Sequence, residues 1–361
     1  MAAAKPTRRA GAGKAAAARA RPTISACLIV RDEARLLPRC LRSIAGAYDE
    51  LCIVDTGSSD QTLAIARKAG ARTLGFTDCN GADGKIEDFA APRNAALQLA
   101  TGDWILQIDA DEVLGPGGAA RIRRHSRHGE LTSVMVNMRA DSASWLSERL
   151  YRRSGDLRYV GRIHEYVVRD GEARVVVDRG IVITNRPDKR GKESAEARNV
   201  RLLERELADN PRNARALYQL GNELRAAGRL DEAIARYRAS LELGTYRHGR
   251  FVTRYYLAVC HLRKHDWELA ITTALDGIRV DPRYAEAHCL LGDVYFARGQ
   301  LEFARQWYRS ALACGTPPET AMAVQVWAYG PYPRRRLRMV AQALRLPPDE
   351  DGEEAETAPA P

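Results

Sequence analysis

The chain has 361 residues, 45% of them apolar, and a formal net charge of +10. That length suits two domains, and no stretch is long and apolar enough to read as a membrane-spanning helix. Seven cysteines, an odd number with no Cys-x-x-Cys pair, argue for reduced thiols in a cytoplasm and against a disulfide framework or a cysteine-held metal.

In chain order, residues 1–22 hold Ala, Arg, Lys and Gly without a hydrophobic run. They read as a disordered basic tail, not a secretory signal. Residues 24–30 are an apolar strand ending in Arg31-Asp32-Glu33. Leu36, Leu37, Cys40, Leu41 and Ile44 then follow at helical spacing. Residues 51–54 form a second strand, followed by Asp55-Thr56-Gly57-Ser58-Ser59-Asp60. Gly57 permits a tight turn, and Ser58, Ser59 or Asp60 can cap the helix expected from about 61 to 68. A weaker strand is expected at 71–74, and a helix at 91–100 that Thr101-Gly102-Asp103 stops. Strands alternating with helices predict a mainly parallel, Rossmann-like α/β sheet.

The run Trp104-Ile105-Leu106-Gln107-Ile108-Asp109-Ala110-Asp111-Glu112 is the most informative. Its apolar part reads as a buried strand. Its three carboxylates repel one another unless a cation neutralises them, and a hard divalent cation takes oxygen ligands. Ligands of open α/β sheets gather at the carboxyl ends of the strands. Asp109 and Asp111 therefore suggest a metal that carries phosphates, whereas a bare Asp-x-Asp can also be an ordinary turn.

Ile29-Val30-Arg31-Asp32-Glu33, Ile53-Val54-Asp55-Thr56-Gly57-Ser58-Ser59-Asp60, Arg93-Asn94, Gly102-Asp103-Trp104 and Asp109-Ala110-Asp111-Glu112 occur in an order that resembles family 2 glycosyltransferases of the GT-A fold. The subgroup with helical repeats, near the sublancin-type peptide S-glycosyltransferases, is most similar. The resemblance implies a hexosyltransferase-type enzyme with a nucleotide-sugar donor, UDP-linked, and Mn²⁺ or Mg²⁺ as cofactor. It implies that Asp55 contacts the nucleoside, that Arg31, Glu33 and Gly57 line the same pocket, and that Arg93 and Asn94 face the nucleotide or pyrophosphate. Asp109 would bind the ribose or the metal, and Asp111 the metal.

Downstream, Arg149-Leu150-Tyr151-Arg152-Arg153 and Tyr159-Val160-Gly161-Arg162-Ile163-His164-Glu165 read as two strands of alternating character. A similar stretch ending in His-Glu occurs in the family. Inverting transfer needs a base near the acceptor, and Glu165 is the first candidate, ahead of Asp141 and Glu148. His164 is a candidate metal ligand or an orienter of Glu165. Where relatives often place a histidine after the last strand, this chain has Ile183-Thr184-Asn185-Arg186-Pro187, so Asn185 is a weaker candidate metal ligand.

The second half is expected to be an all-α tetratricopeptide-like domain over 191–345, after a GT-A domain over 23–190. Leu217, Leu220, Gly221, Gly228, Ala233, Tyr237 and Ser240 recur as Leu257, Ala258, Ala270, Ala274 and Gly277, and again as Leu291, Gly292, Tyr295, Ala304, Tyr308 and Ala311. The last two copies are offset by about 34 residues, the tetratricopeptide period. A half-repeat is expected at 195–208, and a stretched link around Thr245. Such stacks form a groove that can take a peptide or protein acceptor or partner. Arg334, Arg335, Arg336 and Arg338 could touch anionic lipid or nucleic acid, but a solubilising surface is the favoured reading, so nucleic acid is not expected. Residues 346–361 read as a disordered acidic tail. The rival readings are a scaffold with a degenerate transferase domain and a nucleotidyltransferase. The second lacks a Gly-rich phosphate loop with Lys near the first strand.

Overall fold

A computed structural model describes residues 21–140, 143–188, 193–244, 247–318 and 325–346. The expectations for most of both tails, for the domain boundary near 190, for the link at 245–246 and for Asp141 lie outside the described residues.

Strands β1 (Ile24–Val30), β2 (Glu50–Asp55), β3 (Arg72–Gly75) and β4 (Trp104–Gln107) alternate with helices α1 (Leu37–Ser43), α2 (Thr62–Lys68) and α3 (Ala90–Leu99). The four strands are parallel in the order 3-2-1-4. β1 and β4 are apolar because helices and neighbouring strands cover them, and Ile24, Leu28, Trp104 and Ile105 are fully buried. Each such large side chain contributes roughly 1.5–3 kcal/mol.

The sheet then changes character. It adds β5 (Glu112–Leu114), β6 (Ser133–Ala140), β7 (Ala143–Arg152) and, after a two-stranded hairpin of β8 (Arg158–Val160) and β9 (Tyr166–Val168), β10 (Val175–Asn185). Helix α4 (Gly118–Ser126) lies between β5 and β6. The eight-stranded order is β3-β2-β1-β4-β7-β6-β10-β5. β7 runs antiparallel to both β4 and β6, and β5 antiparallel to β10, while β10 and β6 are parallel. The sheet is thus mixed, mostly parallel in its first half.

Two strand expectations shift. β4 stops at Gln107, because the Asp109 and Glu112 backbones close a turn (Glu112 N–H to Asp109 O, 3.0 Å) that the Glu112 carboxylate braces from the Asp109 N–H (2.9 Å). Glu112 then opens β5 at the far edge of the sheet. The expected strand at 159–165 ends at Val160. Residues 161–165 are the hairpin tip, since Gly161 (φ +95°) and His164 (φ +52°) take the left-handed conformation that ends a pleated run.

The second unit is all-α. After α5 (Ala195–Asp209) come antiparallel pairs α6 (Ala214–Ala226) with α7 (Leu230–Leu243), α8 (Arg247–Arg263) with α9 (Trp267–Val280), and α10 (Ala285–Ala297) with α11 (Leu301–Ala313). A short turn at Val326–Tyr329 and α12 (Pro331–Leu344) follow. Gly221 and Gly292 are required by close packing: a Cβ on Gly221 would lie 2.6 Å from the Tyr237 ring, and Gly292 meets Tyr308 in the same way. Each tyrosine hydroxyl donates to the residue after its glycine, Asn222 at 2.8 Å and Asp293 at 2.7 Å. No helix among the described residues is long and apolar enough to cross a membrane.

The edge of the sheet below β1 is tied by Glu50, which accepts from Ser25 Oγ (2.5 Å), the Thr101 N–H (2.8 Å) and Arg72 (2.6 Å). Burial pushes its carboxyl up, but these bonds outweigh that and bring it down to about 2. A depressed carboxylate stabilises the fold above its ordinary value near 4.5, and that stability is lost as pH falls toward about 2. Glu50→Gln is expected to cost roughly 1.5–3 kcal/mol at neutral pH. In pH-dependent thermal unfolding, the gap between wild type and variant should close across that acid window.

Candidate active site

The order 3-2-1-4 reverses at β1, so the crevice between β1 and β4 is the switch point where α/β sheets bind ligands. Arg31 leaves the carboxyl end of β1, Asp55 closes β2, and Asp109 follows β4. The loops after β1 and β2 are stitched together: Asp32, at φ +51°, accepts from the Ser59 N–H (2.7 Å), and its own N–H donates to Ser58 Oγ (3.0 Å). Asp55 is 5% exposed. Its oxygens accept from the Gly57 and Ser58 N–H groups (3.2 and 3.1 Å) and from the Ser58 hydroxyl, which shapes the turn that Gly57 makes at φ +106°. Asp55 thus shapes its own turn at the place where the resemblance expects a nucleoside contact. Arg31 reaches across to the Gly84 carbonyl at 2.6 Å, and the Glu33 N–H donates to Thr62 at 2.7 Å.

Arg93 is the centre of the site. It comes from α3, is 7% exposed, and holds two carboxylates at once. Nη1 and Nη2 donate to the two oxygens of Asp109 at 2.9 and 3.2 Å, and Nε donates to Oε1 of Glu165. Burial lowers the Asp109 carboxyl's preference for charge, but Arg93 and Arg149 outweigh it and hold its pKa below the usual range. Among the described residues Arg93 is the only side chain bonded to Glu165, and Oε1 is the oxygen it uses.

Four further residues complete this network. Arg149 lies 3.8 Å from Asp109 and 2.7 Å from Glu112. Burial pushes Glu112 up to about 7 despite Arg149. With its amide oriented to suit its neighbours, Gln107 accepts from Arg93 and Arg149 at 2.9 Å each and donates to the Tyr159 hydroxyl at 3.2 Å. The signal for Gln107 was present in the sequence: an amide inside an apolar strand must find partners. Arg149 and Glu112 are a matched buried pair from β7 and β5, strands distant in sequence, and only the fold brings them together.

Asn94 serves the backbone. Its amide donates to the Tyr159 carbonyl (2.9 Å) and accepts from the Tyr159 N–H (2.7 Å), clipping β8 onto α3. Asp111 and Asn185 are neighbours, with the Asn185 amide donating to Asp111 at 3.3 Å. His164 does not join them. Its ring faces Glu223 of α6 at 3.3 Å, because the left-handed turn at His164 sends it toward the repeats while Glu165 turns back to Arg93. Glu148 is bound to Arg169 at 2.8 Å and to Ser133. Among the described residues no group of three His, Cys, Asp or Glu side chains is arranged to hold a metal unaided.

A mixed α/β sheet, parallel in its first half and carrying carboxylates at its switch point, is joined to helical repeats, an architecture that defines an α/β ligand-binding class of protein. The chain belongs to glycosyl transferase family 2, in the form that carries tetratricopeptide repeats: the family matches residues 25–191, and the repeats match 197–248, 218–279 and 255–317. A TPR repeat-containing protein of Synechococcus elongatus is 34% identical over 80% of this chain and 75% of its own length. The glycosyltransferase SunS of Bacillus subtilis is 25% identical over 59% of this chain, which spans about half (52%) of SunS. The crystal structure of S. aureus TarS aligns with 73% of this chain and 55% of its own at 13% identity and a TM-score of 0.41.

Arg93→Ala leaves Glu165 without its cation and Asp109 with only Arg149, 3.8 Å away, and removal of one partner from a buried pair costs about 3–5 kcal/mol. Arg93→Lys keeps the charge but not the fork that reaches two carboxylates. Chemical denaturation should rank wild type above Lys above Ala. An Ala variant within about 1 kcal/mol of wild type would remove Arg93 from the centre of the network.

Proposed function

We propose that the chain is a cytoplasmic, metal-dependent, inverting glycosyltransferase that moves a sugar from a UDP-linked donor to a peptide or protein acceptor. The observation that carries this reading is the Arg93 bridge, which sets a carboxylate of the Asp109-Ala110-Asp111 turn and the carboxylate of Glu165 on one guanidinium at the sheet's switch point. The donor's diphosphate would lie over the loops after β1, β2 and β4. The acceptor would come from the side of the repeats, where Arg215 of α6 sits 4.6 Å over the half-exposed ring of Tyr166, next to Glu165.

The donor set beside the diphosphate suits a hard cation. Asp111 offers a carboxylate and Asn185 an amide oxygen, and Mg²⁺ or Mn²⁺ commonly binds through one or two such groups plus substrate phosphates. When bound, the ion would neutralise charge on the leaving diphosphate. Glu165 receives the acceptor's proton, the new bond forms at the anomeric carbon, and the bond to the diphosphate oxygen breaks with its electron pair on the leaving group. Oε1 of Glu165 is engaged by Arg93, which leaves Oε2 for that proton.

Two variants test the reading. Asp111→Ala should weaken Mn²⁺-supported UDP binding by at least ~2 kcal/mol in calorimetry, with the fold intact. Unchanged affinity would remove Asp111 from the metal, and wild-type protein that binds no nucleotide with any metal would favour the scaffold. Glu165→Gln keeps size but not basicity. It should bind donor normally and turn over a hydroxyl acceptor ~100-fold more slowly or worse. Wild-type turnover would exclude Glu165 as the base.

A further inference from the structure

The loop at 161–165 belongs in sequence to the sheet unit, yet the repeat unit holds most of it. Arg162 donates through its guanidinium to Asp209 at 2.5 Å and through its backbone N–H to Glu206 at 2.8 Å, both on α5. Ile163 packs into the repeat cluster of Leu203, Ala216 and Leu220. His164 faces Glu223, which also accepts from Asn199 of α5 at 2.9 Å, and the His164 carbonyl accepts from Arg215 at 3.2 Å. Burial pushes the Glu223 carboxyl up, but the bonds from His164 and Asn199 outweigh it and hold it below its ordinary range. Only Glu165 turns back into the site.

His164 takes its left-handed φ without being glycine, a conformation that costs about 1–2 kcal/mol and persists only where the surroundings impose it. Here the groups around His164 itself are on α5 and α6, while the preceding Arg162 is also held by the Phe89 N–H (2.9 Å) and the Glu87 carbonyl (3.2 Å) of the sheet unit. That backbone turn brings the Glu165 side chain round to Arg93, which then holds it.

We infer that Glu223, with Asn199 behind it, is a positioning residue for the candidate base. The repeats then set the chemical step itself, in addition to any acceptor they hold. The inference rests on the reading of Glu165 as the base. Displacing a reacting group by about 1 Å costs on the order of 100-fold in rate, so a loop freed at His164 need not unfold to lose activity.

The test uses the full chain, Mn²⁺ and the UDP-sugar that gives the largest thermal shift in a panel, with UDP release to water as the reaction. Glu223→Ala should lower kcat about 10-fold or more while donor KM and calorimetric affinity stay within about twofold. Glu223→Gln, which can still accept the two hydrogen bonds, should restore most of the rate. In a Glu165→Gln background, Glu223→Ala should add no further loss, because its effect passes through Glu165. A wild-type kcat in Glu223→Ala, or losses that add in the double variant, would overturn the positioning role and leave Glu165 as the base. Wild-type turnover in Glu165→Gln would overturn the base reading instead. Should Glu223→Ala fail to fold, Asn199→Ala removes one of the two bonds at Glu223: a fall in kcat alone supports the inference, and an unchanged kcat overturns it.

Discussion

The site depends on one guanidinium. Arg93 lies almost fully buried at the start of α3 and ties a carboxylate from the turn after β4 to one from the β8–β9 hairpin tip. Desolvating three charges is costly, and the cost is offset only because the fork geometry satisfies both partners and Gln107 and Arg149 surround them. An arrangement of that kind is sensitive to where each backbone segment lies. It explains why Asn94, the next residue, spends its amide on holding β8 against α3.

The mixed sheet follows the same logic. Its parallel half supplies the switch point, where three strand ends converge on one crevice. Its second half inserts β7 against β4, and β7 carries Arg149 beneath Asp109 while β5 carries Glu112 to meet it. The two halves therefore meet in charge as well as in backbone hydrogen bonds.

Much of this was legible from residue order. The parallel strands, the carboxylate turn and the repeat periodicity each carry a local signal: apolar runs with turn residues, Asp-x-Asp after a buried strand, and glycines and tyrosines recurring at fixed spacing. What escaped was tertiary. His164 reads as a candidate metal ligand or an orienter of Glu165, and the left-handed φ at His164 sends the two neighbouring side chains to opposite partners, Glu223 and Arg93. Asn94, which the resemblance sets at the nucleotide, bonds the backbone of Tyr159, one helical step from Arg93. Asp55 read as a ligand residue, and its carboxylate is used by its own loop. Pattern reading finds which residues cluster and misses which way each one points.

The anchoring of the 161–165 loop also divides the repeat stack by tolerance to change. Among the described residues, the polar contacts from the repeats to that loop come from α5 and α6, through Glu206, Asp209, Arg215 and Glu223. The pairs from α8 onward stack as units of a solenoid, where each unit's stability is a nearest-neighbour matter. Evolution can therefore lengthen, shorten or resurface the distal stack, and so retune what it captures, without disturbing the geometry around Arg93. The stretch of α5 and α6 has no such freedom. It is the one stretch of the helical array that should drift at the slow pace of an active site.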